Sequence, residues 1–98
     1  MIKDTQHPGH CLADELNEIN ITATESAHAI HLSPNTVCEL IQGNTDLTAD
    51  MALRLGCFFG TGPELWLQLQ NGYALYQAKK SLGDTLHSIK PWQSPQEM

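Results

Sequence analysis

The feature that most constrains this chain is its punctuation. Proline and glycine at Pro8-Gly9, Gly43, Gly60-Thr61-Gly62-Pro63 and Gly83 cut 98 residues into short segments. Between these breaks the apolar residues recur every three or four positions, as on one face of a helix. Leu12, Ala13, Leu16 and Ile19 set that rhythm in the first segment, and Ala52, Leu55 and Phe59 repeat it in the fourth. Such spacing predicts a bundle of short helices and no sheet.

The ends of the predicted helices are marked as clearly as their faces. Pro8 suits a first helical turn, where its missing N–H costs nothing, so helix one starts there and ends near residues 19–20. Thr22 with Glu25 three residues later forms a capping-box pattern, and helix two runs to about Ile30 with Ala27 and Ile30 inward. Ser33-Pro34 is a cap followed by proline at the first helical position, which starts helix three. That helix spans residues 34–42, turns Val37, Leu40 and Ile41 to the core, and stops at Gly43. Thr48 caps helix four, with Asp50 in its positive first turn. Helix five begins at Pro63-Glu64 and runs to about residue 80, where Lys79 and Lys80 suit the negative end. Residues 1–80 therefore form one helical domain. Residues 81–98 read as a partly mobile tail in which Leu86, Ile89 and Trp92 are candidates for docking.

Length and composition narrow the functional classes. A chain this short buries a modest core and often covers its remaining apolar face by dimerising. No apolar run reaches the ~18–20 residues of a membrane span, and Met1-Ile2-Lys3-Asp4-Thr5-Gln6 lacks the regions of a secretory signal. A cytoplasmic protein is expected, with Cys11, Cys38 and Cys57 as free thiols. No phosphate loop or catalytic signature is visible, which argues against an enzyme. His7, His10 and Cys11 form a compact soft-ligand group, and His28 with His31 an i, i+3 pair. Neither supplies the four placed ligands of a closed metal site, so surface or capping roles are expected and no cofactor is. The formal charge of −6, with Lys3, Arg54, Lys79, Lys80 and Lys90 the only Lys and Arg, runs against the basic patch of most nucleic-acid binders.

The order of the helices points the other way. Two short helices separated by a few residues, from residue 22 to 42, make a helix-turn-helix. Small Ala27 allows close approach, and Leu32 plugs the turn beneath Val37. The residues His7-Pro8-Gly9, Leu12, Glu15-Leu16, Ala27, Ser33, Thr36-Val37, Leu40 and Gly43 open a longer pattern. It continues in Asp50-Met51-Ala52-Leu53-Arg54-Leu55, Phe59-Gly60-Thr61, Pro63-Glu64-Leu65-Trp66-Leu67, Leu69-Gln70 and Tyr73. Over residues 7–79 the chain resembles the HigA-type antitoxins, a VapI- and Xre-like helix-turn-helix family, and its most specific stretch is 50–70. The resemblance implies an all-α, five-helix, lambda-repressor-like domain. It also implies a homodimeric repressor of its own operon, with operator DNA as one partner and a RelE-like ribonuclease toxin as the other. Against the family pattern, Ser26 stands for a buried leucine and His31 for a turn glycine. Glu39, Asn44 and Cys57 replace frequent basic or polar side chains, and Asn20 and Ala74 are smaller differences.

On a helical wheel Asn35, Cys38, Glu39 and Gln42 share the outward face of helix three, with Thr36 at its edge. Asn and Gln can pair with adenine, and a carboxylate can accept from cytosine N4. Helix starts near Thr22 and Ser33 offer backbone N–H groups to phosphates, and Asn44 with Thr45 adds side-chain donors. Leu65, Trp66, Leu69, Tyr73 and Tyr76 form an aromatic stripe on helix five, beside Gly72, and are expected to line a dimer seam. Symmetry across that seam would set two recognition helices about one DNA turn apart. Asp14, Glu15 and Glu18 cluster on helix one as a solvated face that could meet a basic toxin. The competing expectation is a toxin-binding, protein-interaction module that has lost its operator affinity.

Overall fold

The computed structural model describes residues 6–92. Its helices are α1 (Pro8–Glu18), α2 (Ala23–Ala29), α3 (Pro34–Ile41), α4 (Ala49–Phe59), α5 (Pro63–Leu82) and α6 (Thr85–Ser88). The five expected helices are present. The fifth continues two residues past the expected end, and α6 adds one turn within the segment read as a tail. The ends of the chain in that reading, residues 1–5 and 93–98, lie outside the described residues.

Every predicted cap forms. The Thr22 hydroxyl accepts from the Glu25 N–H at 3.1 Å, and the Glu25 carboxylate accepts from the Thr22 N–H at 2.9 Å. These bonds, the backbone one first, hold the Glu25 carboxyl below its ordinary range. The Ser33 and Thr48 hydroxyls accept from the N–H groups of Thr36 and Met51 in the same way. Gly60 closes α4 in the left-handed region, at φ 71°, where glycine avoids a Cβ clash. Asn20 and His31 take the same region at φ 58° and 62°. Each directly follows a helix C-cap, that of α1 and that of α2, and these two residue types tolerate the region better than most.

Packing joins two helix pairs through α1. Helices α2 and α3 pack on each other, α4 packs on α5, and α1 contacts α2, α3 and α5. Leu12, Leu16, Ala27, Val37, Leu40, Ala52, Leu55, Trp66 and Leu69 are among the buried side chains that meet in one core. Gly9 is what lets α1 approach α3, because a Cβ built there would lie 1.6 Å from the Leu40 carbonyl oxygen. Ser26 sits in the core without leaving a polar orphan. It is fully buried, and its hydroxyl donates to the Ala23 carbonyl at 2.8 Å.

Burial on α5 stops early. Its 20 residues span ~30 Å, and the outer turns stand away from the body, which gives Cα extents of 58 × 25 × 25 Å. Leu86, Ile89 and Trp92 do not dock on the protomer. All three are exposed, Trp92 at 81%.

Candidate nucleic-acid interface

The α2–α3 unit is held as a rigid block from behind. Arg54 of α4 donates from one guanidinium nitrogen to the carbonyls of Ile30 at 2.9 Å and His31 at 3.1 Å. Its Nε donates to Asp50, one turn earlier on the same helix. These carbonyls, on the C-cap of α2 and the residue after it, have no partner within the helix and are satisfied by a charged donor that also suits the negative helix end. Leu32 follows with its N–H on the Ala27 carbonyl at 2.9 Å and its side chain half-buried against the core.

His7 holds the other side of the block. It is buried at 3% exposure and caps α1, its Nδ1 accepting from the Gly9 N–H at 2.9 Å. The acceptor role at Nδ1 places the proton on Nε2, which donates to the Thr45 carbonyl at 3.0 Å. The ring meets Tyr73 of α5 edge to face at 4.8 Å. One imidazole therefore ties the start of α1 to the segment leaving α3 and to α5. Burial, the largest influence, pushes its pKa below the ordinary histidine value, and neighbouring His10 acts in the same direction. The Thr45 hydrogen bond and Asp46 act against them. Gln70 adds a second tie, its side-chain oxygen accepting from the Leu47 N–H at 2.8 Å.

The expected reading residues divide by exposure. Asn35, Gln42 and Asn44 are exposed, and Asn44 donates to the Gln42 side-chain oxygen at 3.1 Å. Cys38 and Glu39 are half-buried, less open than a wheel implies. Thr36 is half-buried with its hydroxyl on that of Ser33 at 2.8 Å, and the exposed Thr22 and Ser33 hydroxyls are committed to capping. What these two helix starts present outward is therefore backbone N–H character. Neither α2 nor α3 contains Lys or Arg.

The stripe on α5 is split by the structure. Trp66 and Leu69, expected on a seam between copies, belong to the protomer's own core at 2% and 3% exposure. Tyr73 is half-buried against His7, whereas Leu65 and Tyr76 are exposed. The cause is cover: α1 and α4 lie over the start of α5 and not over its outer turns. The His7, His10 and Cys11 group is likewise taken apart, since His7 spends both ring nitrogens on the backbone and Cys11 is buried. His28 and His31 are exposed. Sequence reading missed the parts played by Arg54 and Gln70. His7 carried a signal, since a polar residue just before a first-turn proline is in the capping position.

Known proteins share both sequence and shape with this arrangement. No protein-family model matches the chain. An uncharacterised helix-turn-helix regulator of Escherichia coli, YddM, is 36% identical over 75 residues, 76% of this chain and 80% of that protein. Antitoxin HigA-1 of Vibrio cholerae is 33% identical over 76 residues, 78% of this chain and 71% of the relative. The chain belongs to the HigA antitoxin family. A HigA-family antidote protein of Coxiella burnetii superimposes on this family member with TM-score 0.87 and 38% identity, over 90% of this chain and 98% of that one. HigA of Pseudomonas aeruginosa, solved with the higBA promoter, gives TM-score 0.84 at 36% identity, covering 91% and 99% of the two chains. Among the described residues no helix is long and apolar enough to cross a membrane.

Proposed function

We propose that this HigA-family chain is a non-enzymatic antitoxin that represses its own operon as a homodimer and neutralises a RelE-like ribonuclease toxin. The observation that carries the DNA half is the capped, braced α2–α3 block with Asn35 and Gln42 exposed along α3. The promoter complex of the P. aeruginosa relative supports the same reading. Asn35 and Gln42 read bases, with Cys38 and Glu39 beside them. Backbone N–H groups at the starts of α2 and α3, near Thr22, Ser33 and Thr36, meet phosphates together with the Asn44 side chain. The homodimer seam runs along the exposed side of α5 through Leu65, Tyr73 and Tyr76, joined by Leu75 and Leu82. A soluble, cytoplasmic setting accompanies these partners.

Charge favours a second reading, a toxin-binding module without operator affinity. Glu39 lies on the recognition helix and no Lys or Arg lies on α2 or α3 to offset it. Fluorescence anisotropy on DNA from upstream of the gene, against a scrambled duplex and across a salt series, separates the two. The repressor reading expects selective binding that Asn35→Ala abolishes, with a shallow salt dependence. A log–log slope near ~−10, that of a strongly basic repressor, would refute phosphate contact through backbone groups. Binding no better than to the scrambled duplex would favour the toxin-binding module.

A further inference from the structure

Two exposed side chains at the end of α3 are joined to each other. Asn44 donates from its amide nitrogen to the Gln42 side-chain oxygen at 3.1 Å. We propose, on the basis of the operator-reading role above, that Asn44 is a positioning residue for Gln42. It turns the N–H end of the Gln42 amide into the major groove, toward a purine N7, while its own second N–H holds the adjacent phosphate.

Asn44 can direct its neighbour because its own backbone is pinned. Gly43 takes φ 79°, and its N–H donates to the Leu40 carbonyl at 3.0 Å. The Asn44 N–H donates to the Glu39 carbonyl, also at 3.0 Å. Paired bonds of this kind around a left-handed glycine form a Schellman motif, which fixes how the chain leaves the helix. His7 then holds the Thr45 carbonyl at 3.0 Å, and Gln70 the Leu47 N–H at 2.8 Å. The residue that steers is thus anchored on both sides. The residue that is steered has a long side chain, which gives up much rotamer freedom when it is fixed.

The direction of the bond decides what Gln42 shows to DNA. Two amides in isolation can pair with either polarity, since each has a carbonyl oxygen and an NH₂. A backbone phosphate removes that symmetry, because it accepts and never donates. No Lys or Arg stands between Lys3 and Arg54, so a phosphate at the end of α3 is met by neutral donors, and Asn44 faces it with an N–H. The other Asn44 N–H goes to Gln42, whose oxygen is turned toward Asn44 and whose NH₂ is left for the groove. Both purines carry N7 as an acceptor on their major-groove edge, whereas cytosine offers a donor there. Without Asn44 the same amide can rotate by half a turn and offer its oxygen to a donor. Asn44 relays the polarity of the backbone to a base that it does not touch.

Replacing one ring nitrogen tests this relay. Anisotropy titrations of the full chain, at low salt where weakened variants still bind, use DNA from upstream of the gene with each purine in turn exchanged for its 7-deaza analogue. The expected result is one purine per half-site at which the analogue weakens binding about fivefold, the worth of one net hydrogen bond. Gln42→Ala should bring that ratio close to one. Asn44→Ala should weaken binding to every duplex and also bring the ratio close to one. Asn44→Asp keeps the shape but accepts where Asn donates, and should abolish the ratio as well. A loss of structure would lower affinity for both duplexes and leave the ratio unchanged. A ratio that vanishes in Gln42→Ala but survives either Asn44 variant would overturn the steering and leave operator reading intact. So would the absence of any Gln42-dependent N7 effect in a chain that still selects its operator. Failure of the unaltered chain to prefer its upstream DNA over a scrambled duplex would overturn both.

Discussion

Leu55 on α4 and Leu75 on α5 are the same side chain in the same kind of helix, yet one is 1% exposed and the other 60%. The contrast extends to the regions around them. From α1 to Leu69 most apolar positions converge on one core, with Ile19, Leu53 and Leu65 the large ones left exposed, while beyond Tyr73 Leu75, Tyr76, Leu82, Leu86, Ile89 and Trp92 all face outward. Periodicity therefore specifies a helix in both regions, but a core only where other helices arrive to cover it. The body is complete within one protomer. The outer half of α5 is an unsatisfied surface, and the proposed seam between copies is its use.

Substitutions on the two sides of that divide sharpen it. Trp66→Ala, on the body side, should cost about 3–5 kcal/mol by analogy with buried aromatic truncations, read as a lowered denaturant midpoint. An intact midpoint would mean that Trp66 serves a surface and not the core. The middle-sized effect concerns His7, whose pKa is lower in the folded chain than in the unfolded one. The folded state then binds fewer protons, so His7 lowers stability as the pH falls from the unfolded value of about 6.5 toward the folded one, and costs nothing above it. Unfolding curves across that window should show this slope. His7→Asn, which keeps a capping acceptor but not the reach to Thr45, should flatten it; an unchanged slope would assign the effect elsewhere. The smallest effect on stability belongs to Tyr76→Asp on the outer side, within about 0.5 kcal/mol for the protomer. Sedimentation should nevertheless show monomer. A folded dimer surviving this change would move the seam off the outer half of α5.

The sequence was most legible where structure is local. Thr22 with Glu25, Ser33 with Pro34, Thr48 and Gly43 announce helix ends through contacts spanning two or three residues, and those ends lie where expected. Lys79 and Lys80 were weaker markers, since favourable charge at a helix end does not stop the helix, and α5 runs on to Leu82. Long-range ties were hidden for a different reason. The bonds of Arg54 to Ile30, His7 to Thr45 and Gln70 to Leu47 join residues 23 or more positions apart. No periodicity encodes them. The exposure of Asn35 and Gln42 was legible, but a wheel reports angle and not neighbours, so Cys38 and Glu39 are more enclosed than it suggested. The stripe on α5 failed at Trp66 and Leu69 for the same reason.

The grip of Arg54 on the carbonyls of Ile30 and His31 has a consequence for how such a chain can diversify. The angle between α2 and α3 is set by a clasp on the rear of the turn, supplied by a helix that carries none of the proposed base-reading side chains. Address and posture are thus written in separate places. If Asn35 and Gln42 read bases as proposed, exchanging either would redirect the chain to another operator without retuning its geometry. A change at residue 54 would loosen every address at once.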